Sequence, residues 1–141
     1  MSKLVKIPES ISLALHSMAV LADRPDEIVT TKDIAGILGA SSAHLAKILK
    51  TLEHTGYVHS TRGPAGGFQL AGDADEITLM DIYMAIEGPV EKDGCLLASS
   101  ACEGDKCIFG EILGSLDKQF RENLANTKLS ELADTVGVIN A

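Results

Sequence analysis

Apolar residues recur along this chain with the period of a helix, interrupted once by a short strand-like stretch. From about Glu9 to Ala22, Ile11, Ala14, Leu15, Met18 and Leu21 share one stripe. Glu9, Ser12 and His16 share a second, polar one, which reads first as a solvated face. Asp23 to Glu27, with Pro25, is a turn. A helix then starts at Thr30 or Thr31, whose hydroxyl can cap free N–H groups, buries Ile34, Ala35 and Leu38, and stops at Gly39. The next starts at Ser41 or Ser42 and carries Leu45, Ile48, Leu49 and Leu52 at i, i+3, i+4, i+7 spacing. Its other face holds Ala43, His44, Lys47, Thr51 and His54, with Lys50 at the edge: short or cationic groups that suit the approach of a polyanion.

After Gly56, Tyr57 to Thr61 is rich in strand formers, and Phe68 to Leu70 pairs back with it across Arg62-Gly63-Pro64-Ala65-Gly66-Gly67. Thr78 caps a further helix with Leu79, Ile82, Tyr83 and Ile86 on one side, ended by Gly88-Pro89 and expected to buttress the hairpin. The longest helix runs from Ile108 to about Asn126, with Phe109, Leu113, Leu116, Phe120 and Leu124 as a seam that Ile108 and Ile112 widen beyond the need of a small domain. Lys128 to Val136 closes the chain with Leu129, Leu132, Ala133 and Val136 facing inward.

These elements predict a mainly α fold with a small β-hairpin wing: a winged helix-turn-helix followed by a long C-terminal dimerisation helix. Three segments follow, a winged domain over 1–87, a cysteine-containing loop over 88–107, and the dimerisation and last helices over 108–141. A helix, a glycine turn and a second capped helix present the second helix to the major groove of DNA. Such pairs are common in proteins that never touch DNA, and the hairpin tips the balance, because its small side chains let backbone and one arginine enter a narrow groove. The glycine-rich run is not a nucleotide loop, since it joins strand to strand rather than strand to helix.

Total charge alone opposes this reading. The 141-residue chain has a net charge of -8. Residues 1–72 hold seven Lys and Arg against six Asp and Glu, 7 - 6 = +1, and residues 73–141 hold the other five against fourteen, 5 - 14 = -9. The acidity therefore lies away from the proposed DNA face, whose few cations must converge. No stretch is long enough to cross a membrane, and the N-terminus does not read as a secretion signal, so a cytoplasmic protein is expected.

Cys95, Cys102 and Cys107 are the three cysteines, spaced Cys-x6-Cys-x4-Cys in a loop with Gly94, Gly104 and acidic residues. An odd number in a cytoplasmic chain is not a disulfide framework, and a buried packing cysteine is usually set singly in an apolar run. The polar context favours thiolate ligation of a soft metal centre. Spacing leaves zinc and an iron-sulfur cluster even, because neither the Cys-x2-Cys of zinc knuckles nor a ferredoxin pattern is present.

Leu13-Ala14-Leu15, Ala43-His44-Leu45 with Lys47-Ile48, Gly56-Tyr57-Val58 and above all Arg62-Gly63-Pro64-Ala65-Gly66-Gly67-Phe68 resemble the Rrf-two family of bacterial winged-helix regulators. Leu79 to Glu87, the cysteine loop and Leu129-Ser130-Glu131-Leu132 extend the resemblance over nearly the whole chain. The resemblance implies a homodimeric regulator, a repressor, that binds a double-stranded DNA operator. It also implies a 2Fe-2S or 4Fe-4S cluster on Cys95, Cys102 and Cys107, whose spacing departs slightly from that of other members.

One branch of the family takes a fourth ligand from a histidine three residues past the third cysteine, where this chain has Gly110. Another takes a carboxylate from the partner's first helix, at the position of Ser12. Glu9 and His16 lie a turn away and are better ligands than a hydroxyl, and Glu111 is a further candidate. Ser41, Ser42, His44 and Lys47 are expected in the major groove, Arg62 with Gly63 and Gly66 in the minor groove, and Lys6 and Lys50 on the backbone. Cluster chemistry is expected to shift the long helix and change the spacing of the two recognition helices. Two rivals are a thiol or zinc sensor on the same DNA-binding dimer, and a cysteine-based redox enzyme. The second lacks a Cys-x-x-Cys pair and any base beside a nucleophile.

Overall fold

The computed structural model describes residues 7–88 and 110–139, with side chains described through Thr135. Lys6, Cys95, Cys102, Cys107, Ile108 and Phe109, together with the Val136 side chain, lie outside the described residues.

Helix α1, Glu9–Asp23, is buried on most of its circumference. Ile11, Ala14, Met18 and Leu21 form the expected stripe, and Leu13, Ser17, Ala19 and Val20 are buried as well. Two sets of neighbours account for this. Helices α2 (Thr31–Leu38) and α3 (Ser42–His54) cover one side, and the last helix, α6 (Leu129–Ile139), packs along another. A helix apolar on more than one face must be covered more than once.

Local chemistry sets the ends of α2 and α3. Thr30, rather than Thr31, caps α2: its Oγ1 accepts from the Asp33 N–H at 3.0 Å. Gly39 ends the helix at φ +65°, a conformation that a side chain would strain. Ser41 then caps α3 by accepting from the His44 N–H at 3.4 Å.

Strands β1 (Val58–Thr61) and β2 (Gly67–Leu70) pair antiparallel with Val58 opposite Leu70 and Thr61 opposite Gly67. Val29 adds a third rung on the other side of β2, exchanging two hydrogen bonds with Phe68 at 2.8 Å each. Gln69 fastens the same edge by donating from Nε2 to the Pro25 carbonyl at 3.0 Å.

Helix α4, Leu79–Glu87, opens with a reciprocal box. Thr78 Oγ1 accepts from the Asp81 N–H, and the Asp81 carboxylate accepts from the Thr78 N–H. The expectation that this helix buttresses the hairpin is corrected: it leans mainly on α1, α3 and the long helix α5 (Gly110–Asn126). The hairpin is held instead by α3 through β1, by α1 through β2, and by Val29. The starts of α4 and α6 are laced together, with Leu79 N–H donating to Thr127 O at 3.0 Å and Leu129 N–H to Ile77 O at 2.8 Å. Midway along α4 and α5, the rings of Tyr83 and Phe120 meet edge to face with centroids 5.8 Å apart.

Candidate functional site

Helix α3 separates its two faces cleanly. Leu45, Ile48, Leu49 and Leu52 are all buried. Ser41, Ser42, Ala43, Lys47, Lys50, Thr51 and His54 are exposed, and His44 is half-buried in the first turn. Burial of the apolar stripe leaves only the opposite side to meet a partner, which is how a helix held by a core offers its polar side chains to a groove. Lys47, Lys50 and Arg62 have no ion-pair partner among the described residues. Their charge is not already neutralised there.

The hairpin tip is shaped by close approach. Gly63 sits at φ +103°, and the Gly66 N–H donates back to Gly63 O at 2.9 Å. A Cβ on Gly66 would collide with the Thr61 carbonyl oxygen, and one on Gly67 would lie 2.5 Å from Val29 O. These two positions admit only glycine without backbone movement. The turn therefore stays thin, with Arg62, Gly63, Pro64 and Ala65 all exposed at its end. At the other end of β1, burial raises the Tyr57 phenol above its ordinary pKa and the Asp81 carboxylate raises it further, so the ring is neutral at physiological pH.

The candidate fourth ligands separate in space. His16 is exposed on α1, with Nδ1 2.7 Å from the Ser12 carbonyl oxygen and 3.4 Å from Ser12 Oγ. A carbonyl only accepts, so Nδ1 carries the hydrogen and Nε2 of the neutral ring is an unencumbered donor of electrons. Metal-binding histidines are commonly oriented this way. The Glu9 carboxylate lies 4.0 Å from His44 Nδ1, toward the first turn of α3. Glu111 is exposed in the first turn of α5. Among the described residues no three His, Cys, Asp or Glu side chains converge on one point, and the three cysteines lie outside those residues.

The proximity of Glu9 to His44 is what sequence reasoning missed. Its only signal is that both residues lie in the first turn of a helix, and a contact between two such turns 35 residues apart leaves no periodic trace.

A helix-turn-helix with a glycine-tipped hairpin and a charged outward face defines a winged helix-turn-helix transcriptional regulator. The chain belongs to the Rrf2 family, described as iron-dependent transcriptional regulators, whose model matches residues 7–135. The regulator IscR of Pectobacterium atrosepticum is 29% identical over 130 residues, which are 92% of this chain and 75% of that protein. Among solved structures, CymR of B. subtilis, the global cysteine regulator, superposes with a TM-score of 0.75 at 28% identity over 93% of this chain and 98% of that one. IscR of T. potens shares the fold, with a TM-score of 0.71 at 23% identity over 93% of this chain and 88% of its own.

The chain is thus a DNA-binding regulator and not an enzyme. Among the described residues no helix is long and apolar enough to cross a membrane.

Proposed function

We propose that this chain is a homodimeric, cytoplasmic repressor that binds a double-stranded operator through α3 and the β1–β2 hairpin and senses through an iron-sulfur cluster. The observation that carries the DNA reading is the outward face of α3, capped by Ser41 beside the thin, arginine-bearing hairpin. Ser41, Ser42, His44 and Lys47 face the major groove. Arg62, with Gly63 and Gly66 behind it, enters the minor groove, while Lys6 and Lys50 hold phosphates.

The same helix start anchors the geometry, because the Ser41 hydroxyl holds the His44 backbone and so fixes where the first turn begins. Pairing comes from α5, where Ile112, Leu116 and Phe120 are 58%, 46% and 37% exposed. Three large apolar side chains in one row on an uncovered helix face favour burial against a second copy.

Cys95, Cys102 and Cys107 would hold a 2Fe-2S or 4Fe-4S cluster, and His16 fits the fourth position better than Glu9, Ser12 or Glu111. Its Nδ1–H is committed to the Ser12 carbonyl, which leaves the lone pair on Nε2 of this exposed side chain. Such a cluster supplies a centre whose charge and ligand set change with oxidant, nitric oxide or iron supply. The chain converts that change into an altered distance between the two α3 helices, which must match half-sites about 34 Å apart. A coupling of about 3 kcal/mol already changes affinity by roughly a hundredfold.

The similarity to CymR of Staphylococcus aureus, whose solved structures include an oxidized form at 28% identity, supports a second reading, in which the same three cysteines sense as thiols or bind zinc. Anaerobic visible absorption and EPR, with iron and sulfide analysis on protein purified without added metal, separate the two. Sulfur-to-iron bands with stoichiometric iron and sulfide establish the cluster. A colourless protein that also resists cluster reconstitution transfers sensing to thiols or zinc and leaves the DNA reading intact.

A further inference from the structure

The last turn of α3 carries a residue that local physics disfavours. Glu53 is exposed there, next to last in the helix. An anion at a helix C-terminus meets the negative end of the macrodipole, and an anion on a helix that approaches phosphates repels them. Glu53 lies one turn past Lys50, on the flank of the polar face rather than in its middle. Both costs fall on one side chain, and its place calls for a compensating contact.

That contact is with the hairpin. Glu53 Oε1 accepts from Ser60 Oγ at 3.0 Å. Ser60 lies two residues after the buried Val58, on the same face of β1, and two residues before Arg62. Backbone bonds fix the base of the hairpin, with Tyr57 N–H donating to Leu52 O at 2.9 Å and Ala71 N–H to Tyr57 O at 3.0 Å. Strand β2 has its own tethers, from Phe68 to Val29 and from Gln69 to Pro25. Toward the tip of β1, among the described residues, the side-chain hydrogen bond to α3 is the one between Ser60 and Glu53.

A helix in the major groove and an arginine in the adjacent minor groove stand on either side of one sugar-phosphate ridge. Their separation must match that of the grooves before both contacts can be made. A link that holds the tip in place before DNA arrives lowers the ordering cost of binding.

We propose that Glu53 is a positioning residue for DNA binding: by holding Ser60 it fixes the hairpin, and Arg62 at its tip, at one distance from α3, so that the two grooves are entered together. The proposal rests on the reading that α3 and the hairpin take adjacent grooves.

The test measures affinity by fluorescence anisotropy, at one fixed salt concentration, for the full-length protein purified anaerobically and a duplex that wild type selects from a randomised pool. Ser60→Ala removes the donor without changing charge. Glu53→Ala removes the acceptor and a charge, and is judged against Glu53→Gln, which sheds the same charge and keeps an acceptor. Both positions are exposed, so circular dichroism of the variants should match wild type. Each variant is measured again in combination with Arg62→Ala.

Ser60→Ala is expected to bind about tenfold more weakly than wild type, and Glu53→Ala about tenfold more weakly than Glu53→Gln, roughly threefold from each half of the dimer. With Arg62→Ala present, both differences should shrink to less than about twofold, because no arginine is left to position. A purely structural role, or a direct contact of Ser60 with DNA, would lower affinity whether or not Arg62 is there. Persistence of either loss in that background would therefore overturn the proposal, as would equal affinity of Glu53→Ala and Glu53→Gln. Binding by Arg62→Ala as tight as that of wild type would remove the hairpin reading itself, and the proposal with it.

Discussion

Helices α3 and α5 are both amphipathic, and the molecule uses them in opposite ways. In α3 every residue of the stripe Leu45, Ile48, Leu49 and Leu52 is buried, so the exposed side is polar and cationic. In α5 only Leu124 is fully covered by the chain's own core, while Ile112, Leu116 and Phe120 are left open. Sequence periodicity marks both helices equally, because it records that a stripe exists and not what covers it. The location of the uncovered surface tells the roles apart: a polar remainder meets a polyelectrolyte, and an apolar remainder meets another copy.

The largest expected effect comes from breaking the buried side. Leu45→Ala removes a fully buried side chain from the junction of α3 with the core and should cost about 3 kcal/mol in urea denaturation. The corresponding change on the open side should act differently. Leu116→Glu should keep the far-ultraviolet circular dichroism of the wild type, yet weaken self-association by more than about tenfold in sedimentation equilibrium, since each dimer would bring two new charges into an apolar contact. Loss of helical signal in Leu116→Glu would mean that α5 is covered within its own chain after all.

Helix α1 lies between these extremes, covered on two sides, and its Ser17 hydroxyl is fully buried without a hydrogen-bond partner among the described residues. Ser17→Ala removes an unsatisfied group from a helix interior and should raise stability by about 1 kcal/mol in the same denaturation experiment. A loss of stability would reveal a partner for that hydroxyl. The smallest effect concerns the hairpin. Arg62→Ala should reduce the magnitude of the logarithmic salt slope of operator binding by about 2, one phosphate in each half of the dimer. An unchanged slope would place Arg62 off the backbone.

Much of this was legible locally. Thr30, Ser41 and Thr78 announce helix starts, and Gly39 and Gly88 announce ends, because caps and left-handed glycines act over a few residues. The glycine run between the strands likewise reads directly as a thin turn. What could not be read is long-range. The packing of α6 on α1 and the lacing of Ile77–Leu79 to Thr127–Leu129 join segments about fifty or more residues apart, and no local pattern encodes which surfaces meet.

The double coverage of α1 does leave a mark in the sequence. Leu13, Ala19 and Val20 lie off the principal stripe of α1, which is how a helix covered twice appears in sequence. For the sensor residues, spacing of Cys95, Cys102 and Cys107 identifies a soft-metal or thiol chemistry but not which one, since the same ligands suit both.

The central claim is that the outward face of α3, with the hairpin beside it, engages the DNA backbone in both halves of a dimer. The dependence of operator affinity on salt concentration tests it most directly, measured by fluorescence anisotropy on a selected duplex between about 50 and 200 mM salt. With Lys6, Lys47, Lys50 and Arg62 each neutralising one phosphate per protomer, the expected logarithmic slope is about -7. A slope near zero would contradict it.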